Sequence, residues 1–522
     1  MIRRQLAQRA LLLCTLLLSA CVGLPPRPEA TKSFAIAASP ETQLSRIATA
    51  STPPPPQSGF RLVHSGTMAL DARIALIRAA ERSLDVQYYH VASDNTGRGF
   101  LVELKAAAVR GVRVRLLLDD LYAAPVQDEL LGLASHRGVE VRLFNPLPVR
   151  RGGLLQRFLP SVGVIDRLQM RMHNKLLVAD GAFAITGGRN IADEYYWQST
   201  TDAFFDLDVL LAGVAVADLT RLFDDYWNDE LAWPVDALAK PGGDVERRRQ
   251  RFDAFVAGAR LPESPRVARD LLGYGRLRDE LVRGRVELHV GQVRAVADEP
   301  HKVDEGFVAA DLWDAPSRAR RAFNSVTRDA QRDVMLVTPY FVPGVVGLER
   351  RRAHRIRGIR TRTLTNSLAS TDETFAHAGY ARYRRAMLET GAELYELDPV
   401  RSKRLELAEV VGEPTLRIHS KAAVVDRRVV YLGSMNLDPR SVALNTEIGV
   451  IIDSEPLARD VLFLLEALIQ NGAWRVRLDA NQELLWESPD PAEPPLRTEP
   501  RTTFWDRWRL RLLSVLVPES VL

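Results

Sequence analysis

His173-Asn174-Lys175-Leu176-Leu177-Val178-Ala179-Asp180, followed six residues later by Gly187-Gly188-Arg189-Asn190, is matched position for position by His419-Ser420-Lys421-Ala422-Ala423-Val424-Val425-Asp426, followed six residues later by Gly433-Ser434-Met435-Asn436. Both stretches obey H-x-K-x4-D-x6-G-x-x-N without an insertion. The chain has 522 residues but only 7 Lys, 32 Gly and 11 Asn. A given His would therefore meet Lys, Gly and Asn at these offsets by chance in roughly two cases per 100,000. Two occurrences among nine His exclude coincidence. Alternation along a strand puts a His and a Lys two apart on one face, so each copy presents an imidazole beside an ammonium. The apolar run after each Lys reads as a buried strand, and the turn that follows returns residues 182–186 or 429–432 alongside it.

The surroundings of the two copies repeat as well. Ahead of the first, the pattern predicts a helix over 68–83, a strand over 84–89, a helix over 97–110 and a strand over 112–118, which is a βαβ unit and implies a partly parallel sheet. Ahead of the second come a helix near 317–330, a strand over 333–339, a helix near 380–390 and a strand over 392–397. This is a duplicated α/β architecture: two homologous domains, each a mixed, mostly parallel sheet flanked by helices, related by a pseudo-two-fold and sharing one site. The expected limits are 59–245 and 301–490, with an Arg-rich helical connection over 246–300.

The chemistry asks for these residue types. Two Lys and two Asn around one phosphate supply positive charge and hydrogen bonds where anionic charge builds up, so no metal or other cofactor is called for. One His can attack phosphorus while the other protonates the leaving alkoxide and later activates the acceptor. The candidate catalytic set is His173, Lys175, Asp180, His419, Lys421 and Asp426, with Asp180 and Asp426 expected to brace strand and turn. Asn190, Asn436 and Ser434 are candidate phosphate contacts. His64, His90, His136, His289, His301 and His354 match no motif and read as surface or satisfied core residues. Asp119-Asp120, at a strand end, reads as a helix cap or turn. The Arg run over 349–362, with Thr361 and Thr363 where a buried strand would carry apolar residues, reads as a solvated face or a contact for lipid head groups.

Both copies match the HKD motif of the phospholipase D superfamily, and the resemblance spans about residues 60–522. Within it, Thr338-Pro339-Tyr340-Phe341-Val342-Pro343-Gly344, Thr365-Asn366-Ser367-Leu368, His377-Ala378-Gly379-Tyr380 and Asn436-Leu437-Asp438-Pro439-Arg440-Ser441 resemble the cardiolipin synthase C type. The resemblance implies a phosphatidyltransferase working through a phosphohistidine, with His173 as nucleophile and His419 as general acid. It implies that downstream carboxylates orient the imidazoles, Glu447 for His419 and Asp206 or Asp208 for His173. It also makes His377 a candidate substrate contact. Water competes with a lipid hydroxyl for the same intermediate, so a phospholipase D hydrolysing to phosphatidic acid is the alternative. A nuclease, or a non-catalytic lipid-binding lipoprotein, stands further off.

The ends speak to location. Arg3, Arg4 and Arg9, an apolar run over 11–18 and then Leu18-Ser19-Ala20-Cys21 have the form of a lipoprotein signal, with Cys21 acylated. The run from Leu11 to Ala20, 10 residues, is too short to span a bilayer core of about 30 Å. The only other cysteine, Cys14, lies inside that signal. Residues 21–58, rich in Pro, Ala, Ser and Thr, read as a tether. Removing the signal takes three Arg from a net charge of +4, leaving +1, too little for a nucleic-acid groove. The expected partners are phospholipids and a membrane surface, facing the periplasm, and Val22 after the acylated Cys favours the outer membrane. Over 491–522, Phe504-Trp505-Asp506-Arg507-Trp508-Arg509-Leu510 has amphipathic helical spacing, and either lies in a lipid interface or packs on the body.

Overall fold

A computed structural model describes residues 31–148, 170–239, 244–262, 267–302, 317–402 and 414–516, together with 24–27 and 29. Its strands are β1 Ser58–Val63, β2 Ser83–Tyr88, β3 Arg113–Asp119, β4 Val139–Phe144, β5 Leu176–Ala179, β6 Phe183–Gly187, β7 Asp202–Phe205, β8 Asp208–Gly213 and β9 Ala232–Pro234 in the first half. In the second half they are β10 His289–Ala297, β11 Asp333–Val337, β12 Arg360–Asn366, β13 Glu393–Leu397, β14 Thr415–Ile418, β15 Ala422–Val425, β16 Val429–Gly433, β17 Ile448–Asp453, β18 Ala473–Leu478 and β19 Leu484–Glu487.

The pairings show the duplication directly. The first half runs β1-β8-β6-β5-β2-β3-β4-β9 and the second β10-β17-β16-β15-β11-β12-β13-β18-β19. Each sheet is mixed, but only β2-β3-β4 and β11-β12-β13 are parallel, so the expected mostly parallel character is wrong. The reason lies in the motif: each H-x-K copy feeds a hairpin, β5-β6 or β15-β16, whose turn forces antiparallel neighbours. In that turn Asp180 and Asp426 sit at positive φ.

The helices that matter are α1 Gln43–Ser51, α2 Gly66–Ala79, α3 Asn95–Val109, α4 Val214–Trp227, α5 Arg318–Arg328, α6 Gly344–Ile356, α7 Thr374–Glu389, α8 Glu455–Gly472 and α9 Phe504–Leu516. Several start where the sequence provides a cap: the side chains of Ser65, Ser317 and Ser454 each accept from a backbone N–H three residues on, opening α2, α5 and α8. Among the described residues the longest apolar face is that of α8, where Leu457, Val461, Leu464, Leu465 and Leu468 are buried at helical spacing. They join one core cluster with Phe205, Val209 and Leu211 of the first half and Ile418, Val424 and Ile452 of the second, so the halves share a hydrophobic core.

Two expected segments take a different form. The tether is folded from about residue 33: Ala35 N–H bonds the Asp224 carboxylate, and α1, capped by Thr42, buries Leu44, Ile47 and Ala48. Those three lie at i, i+3 and i+4, a helical stripe hidden in the Ala, Ser and Thr background. The helical connection does contain helices, Val245–Val256 and Leu277–Val282, but it ends in β10. This strand pairs with both β1 and β17 and joins the two sheets edge to edge. The domain limits proposed from sequence thus need β10 moved into the second half. Cys21 lies outside the described residues.

Candidate active site

The two H-x-K segments do not lie in the sheets. Each is an extended stretch just ahead of its hairpin, and each crosses to the other half. Met172 bridges to Thr446, and His173 N–H donates to Thr446 O at 2.9 Å. In mirror fashion β14 pairs in parallel with β7, and His419 N–H donates to Phe205 O at 2.9 Å. Buried Asp119 holds the segment before His173 by accepting from Met172 N–H at 2.8 Å and Arg171 at 3.3 Å, besides capping the short helix that follows it.

This crossing decides the carboxylate partners, and it reverses the expected pairing. His173 Nδ1 lies 2.9 Å from Glu447 Oε2, and His419 Nδ1 lies 2.6 Å from Asp206 Oδ2. Each imidazole is thus oriented by an acid of the other half, because the backbone segment it pairs with is the one that carries that acid. Asp208 orients neither imidazole. Three residues beyond the end of β7, at the start of β8, it turns away and pairs with buried Arg73 at 2.8 Å and Arg189 at 3.1 Å. Gly187 permits this approach: a Cβ there would lie 2.3 Å from Asp208 Oδ1.

A carboxylate at Nδ1 fixes the proton there and leaves Nε2 with its lone pair. Both His line a cleft of about 1420 Å3 between the halves, together with Asn190, Asn436, Tyr195 and Arg440. Tyr195 O–H lies 3.5 Å from His419 Nε2 and accepts from Asn190 Nδ2 at 3.0 Å. The side-chain carbonyl oxygens of Asn190 and Asn436 are buried without a hydrogen-bond partner. The edges of Tyr89 and Tyr195 rings pack on His173 and His419, each with centroids 5.0 Å apart.

The other expected residues divide. Lys175 and Lys421 are buried just behind their imidazoles, each donating to the carbonyl of the His two residues before it, the first at 2.7 Å. Asp180 and Asp426 are braces: each carboxylate collects three successive backbone N–H groups, of Glu81, Arg82 and Ser83 or of Gln331, Arg332 and Asp333. Ser434 does not face the cleft; its hydroxyl donates to Glu447, as does that of Ser441 at 2.8 Å. His377 does not line the cleft either. It is buried in α7 with Nε2 accepting from Arg384 at 3.2 Å, while Phe375 and Ala376, on the other side of the same turn, line the cleft.

Burial dominates the electrostatics. It lowers His173 well below the usual imidazole range, reinforced by the charges of Lys175 and Lys421. It lowers His419 to about 4, with Lys421 adding to the drop and Asp206 opposing it. Lys421 falls to about 8 for the same reason, with Asp206 and Glu447 holding it up. The two orienting acids differ. Burial raises Glu447 to about 8 against Lys175, whereas Asp206, despite its burial, is carried down to about 2 by His419 and Lys421. His419 therefore faces a fully ionised carboxylate and His173 one that holds its proton more readily.

One contributor was readable but missed. Lys302 donates to Asp298 at 2.8 Å and to the carbonyls of Ser441 and Asn445. Asp298 in turn pairs through its backbone with Glu447. With seven Lys in 522 residues, a buried one was worth singling out. Tyr195 and Asp372, which also line the cleft, carried no motif of their own, and Arg440 stood inside a quoted motif without being singled out.

Known proteins share this plan. The profile of the family described as cardiolipin synthase, PLD-like domain, matches residues 74–227 and 326–468, one span in each half. The chain is 36% identical over 481 residues to cardiolipin synthase C of Escherichia coli (strain K12), covering 90% of this chain and 97% of that one. It is 24% identical over 399 residues to cardiolipin synthase 2 of Staphylococcus epidermidis, covering 76% and 65%. In fold it is similar to the phosphatidylserine synthase of Haemophilus influenzae Rd KW20, with a TM-score of 0.53 at 15% identity over 79% of this chain and 86% of that one.

Proposed function

The chain belongs to the cardiolipin synthase family of phospholipase D-like proteins, and on that premise we propose that it is a phosphatidyltransferase moving a phosphatidyl group from one glycerophospholipid to the hydroxyl of another. The observation that carries the reading is the pair of imidazoles, both lining one cleft and each held at Nδ1 by a carboxylate of the opposite half.

His173 is the nucleophile in this scheme. Its neutral state, kept by burial and two ammonium neighbours, leaves the Nε2 lone pair available to attack phosphorus. The bond from phosphorus to the leaving headgroup oxygen breaks, and that oxygen takes the Nε2 proton of His419 in its imidazolium form, which burial disfavours in the free protein and which ionised Asp206 together with the negative charge of the bound phosphodiester restores. The acceptor hydroxyl then gives its proton back to His419 Nε2 and attacks phosphorus, and the bond to His173 breaks. Lys175 and Lys421 place two cations behind the reacting phosphoryl group, and the amides of Asn190 and Asn436 offer hydrogen bonds to its oxygens.

The lipid substrate brings the protein to a membrane. Helix α9 supports such a contact: it rests on α7 through Leu510 and through Arg382, which donates to Ser514 O, but leaves Trp505 70% and Trp508 50% exposed among Arg507, Arg509 and Arg511. Its neighbour α7 starts at the cleft rim with exposed Phe375. Aromatic and Arg side chains together suit the headgroup zone. Acylation of Cys21 would add a tether, and no helix among the described residues is long and apolar enough to cross a bilayer. The test is to incubate wild type and His173→Ala with phosphatidylglycerol and phosphatidylethanolamine, with chelator present, and to separate the lipids. Cardiolipin from wild type alone is expected. Phosphatidic acid with free headgroup would make the enzyme a hydrolase, and no turnover would overturn the lipid reading.

A further inference from the structure

A second, narrow cleft, about 700 Å3 when the solvent at its open mouth is included, lies between α5 and α6 and shares no lining residue with the catalytic one. Its floor is apolar, made by Phe323, Leu336, Phe341, Met435 and Leu437. Over it α6 presents Arg350, Arg351 and His354, from the Arg-rich run whose purpose the proposed reaction does not explain. None of the eighteen described residues that line the cleft is acidic.

Arg351 differs from most of the other buried arginines. Arg61, Arg73, Arg115, Arg189 and Arg384 each meet a carboxylate. Arg351, 8% exposed, bonds only the carbonyl of Gly347 one turn back, lies over the Phe341 ring at 4.8 Å and keeps Nε unpartnered. His354, 4% exposed, has only the Thr327 backbone near enough to interact with its ring nitrogens, and among the described residues it meets no carboxylate. Arg350 reaches across to Asn324 Oδ1 at 2.6 Å, and among the described residues no carboxylate compensates its charge. Burial, with Arg350 beside it, pushes Arg351 down to about 10. A buried cation without a counter-ion is costly. An anion brought by a ligand would relieve it, and the floor below asks for a hydrocarbon.

We infer that this cleft binds an anionic amphiphile, its chain lying on Phe323, Leu336 and Met435 and its phosphate or carboxylate head meeting Arg351 and His354. The site is independent of the transfer reaction, yet it touches the same backbone. Along residues 435–438 the side chains alternate, Met435 and Leu437 lining this cleft, Asn436 and Asp438 the catalytic one.

The probe is monododecyl phosphate below its micelle concentration, added to the full chain in digitonin and followed by hydrogen exchange over residues 318–328 and 344–356. Saturable protection of both helices is expected. Half-protection should need at least tenfold more probe in Arg351→Gln, and likewise in Val346→Glu, which places a negative charge at an exposed position on the rim. Because Val346 is exposed, that variant keeps the test open if Arg351→Gln fails to fold. Lack of protection up to millimolar probe would overturn the inference, as would wild-type behaviour of both variants. Equal protection by dodecyl maltoside would reduce the site to an apolar groove, and equal protection by inorganic phosphate would leave an adventitious ion only; either outcome refutes it.

Discussion

Asp206→Asn offers a sharp test of the crossed pairing, because the structure dictates which way the new amide must turn. Asp206 Oδ1 accepts the backbone N–H of Leu207 at 2.8 Å, so the amide oxygen has to stay on that side. The NH2 group then faces His419 Nδ1, where the carboxylate oxygen stood at 2.6 Å. A donor at Nδ1 moves the imidazole proton to Nε2, and the ring loses both its imidazolium state and its capacity to accept a proton from the acceptor hydroxyl. Replacing an orienting carboxylate by its amide costs about 10⁴ in kcat in a well-studied triad, or ~5.4 kcal/mol at about 1.36 kcal/mol per decade. We expect a loss of ~10³ to 10⁴ with a natural phospholipid. A phosphatidyl ester of p-nitrophenol needs no acid to expel its leaving group, so the first-turnover burst of nitrophenolate should stay within about tenfold of wild type. Stopped-flow absorbance reads that burst. If Asp206→Asn loses the burst by more than a hundredfold, Asp206 serves the nucleophile and the assignment of roles is wrong.

Four other outcomes follow from the same geometry. With Lys421 at about 8, kcat/KM measured against pH should fall above pH 8 as that cation is lost; a rise there would mean that ionisation of Glu447, also near 8, governs the step instead. Because burial depresses Lys421 from 10.5, its charge penalises the fold below pH 8 and the penalty fades between 8 and 10.5. Lys421→Met should therefore abolish activity while stabilising the protein by up to about 3 kcal/mol at pH 7 in chemical denaturation, a gain that disappears by about pH 10.5. Asp208→Asn leaves buried Arg73 and Arg189 without their shared carboxylate and should cost about 3–5 kcal/mol in the same assay, marking it as a structural residue. Trp505→Ser with Trp508→Ser should weaken sedimentation with anionic vesicles at least tenfold and leave denaturation unchanged, since both indoles are largely exposed.

The sequence carried the duplication and the reacting groups because both rest on spacing within one extended segment and the hairpin that follows it. His173 and Lys175, or His419 and Lys421, are neighbours whatever the rest of the fold does, and the hairpin after each follows from an apolar run and an Asp-containing turn. The orienting acids were visible as candidates, but their assignment depends on which backbone segment lies across the interface. Pairing β14 with β7 and Met172 with Thr446 joins positions more than 200 residues apart, and no periodicity reports that. Ser434 and His377 failed for a related reason. A motif gives a residue's place on the chain, whereas the side of the turn it occupies is set by packing: Ser434 turns under Glu447, and His377 turns into the Arg384 network. The tether failed because the apolar residues that α1 buries are just Leu44, Ile47 and Ala48, a signal too short to rise above its low-complexity surroundings.

The crossed arrangement also explains why the two halves cannot be independent. Each half carries an imidazole whose tautomer is set by a carboxylate it does not own, and each owns the carboxylate that sets the other's. A displacement of one half against the other would therefore break both His-to-acid contacts at once, without moving any residue within its own sheet. Three features resist such a displacement: β10 paired to both β1 and β17, β14 paired to β7, and a core cluster drawing on both halves. Lys302 adds a fourth, since it pins the Ser441 and Asn445 carbonyls to Asp298, directly beyond β10, and so ties the Glu447 loop to the strand that joins the sheets. The catalytic geometry is in this sense a property of the interface, and the hydrophobic contacts that hold the interface are what set the proton on each imidazole.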